Sequence, residues 1–154
     1  MTGRGPAETA TPGPGGIDPT DELPARAVRS TGGRPGTTRV MVIDGHSRIR
    51  ELLVELLAAE PGLDVVGSAA TGVDAVELAD RLQPDVIVID PEPAAAAGAD
   101  FTRQILTKHP RTRVLVLTAA PHGTLAAQTL AAGARTCLAK SIAYTAIVQA
   151  IRAT

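Results

Sequence analysis

Four side chains able to handle a charged ligand stand at the ends of short apolar runs. They are Asp44 after RVMVI, Asp90 after DVIVI, Thr118 closing RVLVLT, and Lys140 directly after RTCLA. Two carboxylates brought together can hold Mg²⁺, a hard ion that takes one or two carboxylates while keeping several waters. A hydroxyl and an ammonium beside such a pair bind the oxygens of a phosphoryl group. Each residue alone has a plainer reading: Asp44 caps a following helix, Lys140 is a solvated cation, and Thr118 is an ordinary strand residue. Four of them at corresponding run ends argue for a site, provided the fold brings those ends together.

The elements that would do so are legible as short apolar runs separated by helical periods. Residues 39–44, 63–69, 85–90, 113–118 and 135–139 are strand-like, and three of these are continuous runs rich in Val and Ile. Continuous runs are expected of strands covered on both faces. Between them, Ile49, Leu52, Leu53, Leu56 and Leu57 share one helical face, which Pro61-Gly62 stops. Further helical patterns run over Val73–Leu82, around Phe101, Ile105 and Leu106, over Leu125–Leu130 up to Gly133, and through Tyr144, Ile147, Val148 and Ile151. Five strands alternating with five helices imply a parallel sheet with helices on both faces, doubly wound by right-handed crossovers. Ligands of such sheets sit beyond the C-terminal strand ends, where the strand order reverses. If strands one and three are neighbours, Asp44 and Asp90 converge in one crevice there.

Residues 1–38 contrast with this. They hold six of the twelve prolines and eight of the fifteen glycines, with four basic and four acidic residues and almost no large apolar ones. Such a segment buries too little surface to offset its ordering entropy, so a disordered tail is expected at 1–38 and one folded domain at 39–154. The net charge of −1 gives no general attraction to nucleic acid or anionic membrane, and single Cys137 excludes an internal disulfide. No stretch is apolar enough to span a bilayer and no secretory signal is present, so a cytoplasmic location is expected. With Phe101 and Tyr144 the sole aromatics, base-stacking and flavin-stacking surfaces are poorly supplied.

From Arg39 to about Arg152 the chain resembles the receiver domains of two-component response regulators, with a texture most similar to LuxR-type regulators. The spans carrying the likeness are RVMVIDGHSRIRELLVELLAAEPGLDVVGSAATGVDAVELADRLQPDVIVID and RVLVLTAAPHGTLAAQTLAAGARTCLAK, above all PDVIVID, VLVLTA and AGA…LAK in that order. The resemblance implies a flavodoxin-like five-stranded parallel sheet of order 2-1-3-4-5 with five helices. It implies a phosphoryl-accepting Asp90 supported by Mg²⁺, with Asp44 and Glu92 completing the ion site. Thr118 and Lys140 match the hydroxyl and lysine that read the phosphoryl group, and Ala119 matches a small residue that leaves it room. A sensor histidine kinase or another protein is the implied partner, with a homodimer as a further option, and the surface around helices four and five is the implied partner face. LuxR-type regulators continue into a helix-turn-helix segment that is not found here, so an output domain and direct DNA recognition are not expected of this chain.

Several positions depart from the family pattern. The family has two consecutive acids after strand one, and here the second is Gly45. Pro91 follows the phosphoacceptor position and offers no N–H, and Ala94 replaces the usual proline. Cys137 occupies the place of the aromatic switch residue, and Ser141 that of the proline after the lysine. Losing one carboxylate weakens a hard-cation site, since a unit charge pair about 4 Å apart interacts by roughly 4 kcal/mol at an effective dielectric near 20, before desolvation. A degenerate receiver that binds a partner without phosphorylation is therefore the alternative reading. Asp44-Gly45-His46 also resembles the aspartate-x-histidine signature of cobalamin-binding domains, but the glycine required three residues later is Ile49. That leaves His46 as an exposed loop residue. Hydrolase, zinc and dinucleotide sites lack their elbows, ligand spacings and glycine-rich turns.

Overall fold

The computed structural model describes residues 26–27, 35–92 and 95–153. Its elements are β1 (Arg26–Ala27), β2 (Thr38–Ile43), α1 (Ser47–Ala58), β3 (Leu63–Ala69), α2 (Gly72–Leu82), β4 (Val86–Ile89), α3 (Ala95–Lys108), β5 (Arg113–Thr118), α4 (Thr124–Ala131), β6 (Thr136–Ala139) and α5 (Tyr144–Arg152). The parallel strands lie in the order β3-β2-β4-β5-β6, which is 2-1-3-4-5 when these five are counted along the chain. This is the doubly wound parallel sheet expected from the alternation of elements, in the strand order that the receiver resemblance implies. β1 adds antiparallel to the free edge of β3, pairing Arg26 with Ser68 and Ala27 with Gly67. The disorder expected of residues 1–38 falls on positions outside the described residues, apart from 26–27 and 35–38.

Strand alternation divides the apolar side chains between two cores. Val40, Val42, Val86, Val88, Leu115 and Leu117 pack with Leu57, Ile147, Val148 and Ile151 on the α1/α5 side. Met41, Ile43, Ile87, Ile89, Val114 and Val116 pack with Ala75, Leu78, Phe101 and Ile105 on the other. Each fully buried Val, Leu or Ile contributes about 1.5–3 kcal/mol relative to exposure, so the sheet is the most strongly held part of the fold. Helix ends follow local chemistry. Thr71 caps α2 by accepting the Asp74 N–H at 3.3 Å, and Gln83, left-handed at φ 49°, ends the helix before Pro84. Gly62 turns the chain into β3 with φ 81°, a conformation glycine adopts without steric cost.

One expected packing face is only half buried. Leu57 is inaccessible, but Ile49, Leu52 and Leu56 are 54%, 56% and 41% exposed. The α1 contacts with the sheet run instead through Leu57, partly buried Leu53 and Val54, and the buried Arg50. The remaining apolar residues of α1 line a groove of about 260 Å³ against Ile142, Tyr144 and Ile147. Periodicity shows which residues share a face; it does not show how far a neighbouring helix covers that face.

Candidate functional site

The register of the central strands builds the site. Ile43 pairs with Ile89, and the Asp90 N–H donates to the Ile43 carbonyl at 2.8 Å, so Asp44 and Asp90 leave neighbouring strands side by side. Both continue the alternation that points Val42 and Val88 toward the α1/α5 side. Both are buried, at 3% and 7% exposure. On the other flank β5 pairs with β6, and the Lys140 N–H donates to the Thr118 carbonyl at 2.9 Å. Lys140 Nζ then reaches back to Asp90 Oδ2 at 2.6 Å and Glu92 Oε2 at 2.8 Å.

Three successive strand ends close with the same local turn. Asp44 Oδ1 accepts the His46 N–H at 2.7 Å, Asp90 Oδ1 accepts the Glu92 N–H at 3.0 Å, and Thr118 Oγ1 accepts the Ala120 N–H at 3.2 Å. Short oxygen-bearing side chains favour this bond to the N–H two residues on, which mimics a backbone turn. The plain reading of Asp44 as a cap is therefore partly met: it ties the loop entering α1, whose own N-cap, His46, makes no side-chain cap bond. The lack of an N–H at Pro91 is absorbed in the same way, because Glu92 supplies the donor. Pro91 is seated against Gly98 of α3, where an added Cβ would stand 2.8 Å from the proline ring.

Charge at the site is unevenly compensated. Burial is the main cause that pushes the Asp44 carboxyl above its ordinary range, and the Asp90 charge adds to it against the opposing His46 N–H. Burial alone would lower the Lys140 ammonium, but the hydrogen bonds and charges of Asp90 and Glu92 outweigh it and raise the pKa. Arg50, buried at 5% exposure, spends Nη1 on the Asp44 carbonyl at 2.5 Å, pinning the strand end and leaving the carboxylate to others.

The structure thus brings Asp44, Asp90, Glu92 and Lys140 together. The Thr118 hydroxyl lies at the adjacent strand end, 1% exposed and engaged by Ala120. Glu92 turns its carboxylate to Lys140. Cys137, partly buried, places Sγ 3.6 Å from both the Ala126 carbonyl and Thr129 Oγ1 of α4. Arg50 is a residue sequence reasoning did not place, and the inward contact of His46 is one it did not foresee. His46 is exposed as expected, yet Nδ1 lies 3.3 Å from Asp44 Oδ1, and one ligand atom each from Asp44, His46 and Asp90 fall within 4.8 Å of one another. The aspartate-x-histidine spacing carried that signal. The apolar groove along α1 and α5 opens at one end on Asp44, Asp90 and Lys140.

Comparison with known proteins agrees with this geometry. The chain is 34% identical over 114 residues to the response regulator GacA of Pseudomonas viridiflava, covering 74% of this chain and 53% of that protein. It therefore spans about half the length of the curated relatives it matches. The signal receiver domain of the putative response regulator NarL from Mycobacterium tuberculosis superposes with TM-score 0.69 at 30% identity, covering 78% of this chain and all of that one. A LuxR-family two-component response regulator from an Aurantimonas species gives 0.66 at 33% identity, covering 75% and 83%. The family model described as the response regulator receiver domain matches residues 40–152, from the first parallel strand through the last helix. With paired acids and a lysine at the strand ends that this fold reserves for its ligand, the chain belongs to the response regulator receiver domains of two-component systems, signalling domains rather than stand-alone enzymes.

Proposed function

We propose that Asp90 accepts a phosphoryl group from a sensor histidine kinase and that Lys140 and Thr118 read the product. The observation that carries this is the Lys140 ammonium, 2.6 Å from Asp90 Oδ2, held beside a second buried acid at the neighbouring strand end. A carboxylate oxygen of Asp90 forms the new bond to phosphorus while the bond from phosphorus to the donor nitrogen breaks, and the donor imidazole leaves with the electron pair. Lys140 follows the transferred charge from the carboxylate to a phosphoryl oxygen. A divalent ion such as Mg²⁺, held by Asp44, Asp90 and the Glu92 carbonyl, would neutralise the phosphoryl oxygens as charge gathers on them. Two acids in place of the family's three make that ion site a weakened one.

The apolar α1/α5 groove suits a helical donor protein, because its open end delivers a docked histidine to Asp90. Readout runs through β6 to α4, where Cys137 replaces a ring with a small thiol. With no ring to rotate between two positions, the switch is muted. This reading puts the protein in the cytoplasm; among the described residues no helix is long and apolar enough to cross a membrane.

A second reading has its own support. Lys140 bridges Asp90 and Glu92, a pairing that suits a receiver held in one state and acting as a protein-binding module. Intact-mass measurement after incubation with acetyl phosphate and Mg²⁺ separates the two. One added phosphoryl group that Asp90→Asn abolishes supports transfer. No uptake in the parent or in Gly45→Asp, with no beryllofluoride-induced amide shifts near Asp44 and Asp90, selects the binding module.

A further inference from the structure

We propose that Asp44, His46 and Asp90 form a mixed nitrogen–oxygen site that takes a borderline divalent ion, of the Co²⁺ and Zn²⁺ class, in preference to Mg²⁺. The inference deepens the phosphoryl reading by naming the ion, and it rests on that reading only for the ion's use. Replacement of the second acid by Gly45 removes a hard oxygen donor, and the next side chain along the same loop is an imidazole. It is already turned inward, with Nδ1 3.3 Å from Asp44 Oδ1.

The ligand set decides the selectivity. Mg²⁺ demands near-ideal octahedral oxygen coordination and gains little from nitrogen. Imidazole suits the later first-row ions, and two carboxylates with one histidine match the ligand sets those ions accept. Ligands bonded at about 2.0–2.2 Å on either side of an ion lie at most about 4.4 Å apart. The three candidate atoms stand within 4.8 Å of one another, and the His46 side chain is 57% exposed, so closing the site requires a small swing of the ring that exchanges the Nδ1 contact with Asp44 Oδ1 for the ion. Asp44 supplies the demand for a cation. Its side chain is 5% exposed, and Oδ1 takes the His46 N–H at 2.7 Å. Lys140 is committed to Asp90 and Glu92, so among the described residues Asp44 is a buried carboxylate paired with no Lys or Arg side chain.

Titration calorimetry of the full chain with Co²⁺, Zn²⁺ and Mg²⁺, together with the visible spectrum of bound Co²⁺, tests this. Co²⁺ is expected to bind on the order of tenfold or more tighter than Mg²⁺ and to perturb the ring resonances of His46. Both His46→Ala and His46→Gln should weaken Co²⁺ by about tenfold or more while leaving Mg²⁺ within about twofold, and exposed His122→Ala should change neither. Thermal unfolding of each variant without metal confirms that the fold persists. Mg²⁺ binding as tightly as Co²⁺, or Co²⁺ affinity untouched in both His46 variants or lost in His122→Ala, overturns the site. Phosphoryl uptake from acetyl phosphate, measured beside the titrations, keeps the two readings apart. His46-dependent Co²⁺ binding without uptake removes the phosphoryl reading alone, and uptake with His46-independent binding removes the mixed site alone.

Discussion

At the scale of single residues, the buried acid pair sets what the site tolerates. The folded Asp44 carboxyl titrates above its ordinary value of 3.8, mainly through burial and then through the Asp90 charge. The folded chain therefore holds that proton more tightly than the unfolded chain does. The associated stability is complete below 3.8 and is lost as pH rises through the elevated value. At neutral pH and without metal, ionised Asp44 is thus a net cost. Asp44→Asn is expected to raise the unfolding midpoint by about 2–4 °C, the shift that about 1 kcal/mol produces in a chain of this size. The gain should vanish toward pH 3 and reverse when a divalent ion is added; a calorimetric scan across pH, with and without ion, checks all three. Gly45→Asp tests the missing donor from the other side. Gly45 is not among the glycines of positive φ, so aspartate fits its backbone, and Mg²⁺ affinity should rise by about tenfold or more, read by titration. The paired acids and Lys140 were visible in the sequence because each ends an apolar run, and a parallel sheet lines up run ends. The Arg50 contact was not, and of the His46 contact only the two-residue spacing was, because local pattern does not encode which way an exposed ring or a long cation folds back.

Among elements, α1 departs most from its sequence pattern. Five apolar residues at helical spacing argue for a buried face, yet the helix leaves Ile49, Leu52 and Leu56 exposed along the groove it forms with α5. The strands differ in this respect: Val40, Met41 and Val42 are inaccessible to solvent because helices cover both faces of the sheet, which is why continuous Val/Ile runs read correctly as strands. On the proposed reading, an apolar face retained beside Asp90 serves a partner rather than the core. Leu52→Glu is accordingly expected to leave stability within about 0.5 kcal/mol, as an exposed substitution should. It should slow phosphoryl transfer from a histidine kinase by about tenfold or more, as loss of a central apolar anchor does at an interface. Transfer from acetyl phosphate, which needs no docking face, should be unchanged. Equal slowing with both donors would place Leu52 in the chemistry or the fold instead of the docking surface.

For the molecule as a whole, the question is where the cooperative unit begins. Residues 1–38 carry the composition of a segment that cannot form a core, while the family match and, among the described residues, the two cores begin at β2. Composition could not anticipate β1, because two residues are too few to show a strand period. Their pairing depends on the free edge of β3 rather than on their own sequence. Edge strands expose unpaired N–H and C=O groups to other chains, and a short antiparallel partner blocks that edge. We expect a chain beginning at Pro35 to unfold in one cooperative transition, with a midpoint within about 2 °C of the full chain, since a two-residue edge pairing contributes well under about 1 kcal/mol. Amide exchange should quicken at Gly67 and Ser68 alone, and light scattering at high concentration should show whether the bared edge of β3 recruits a second copy. Loss of the cooperative transition would mean that the domain starts earlier than β2 and that residues before Pro35 pack into it.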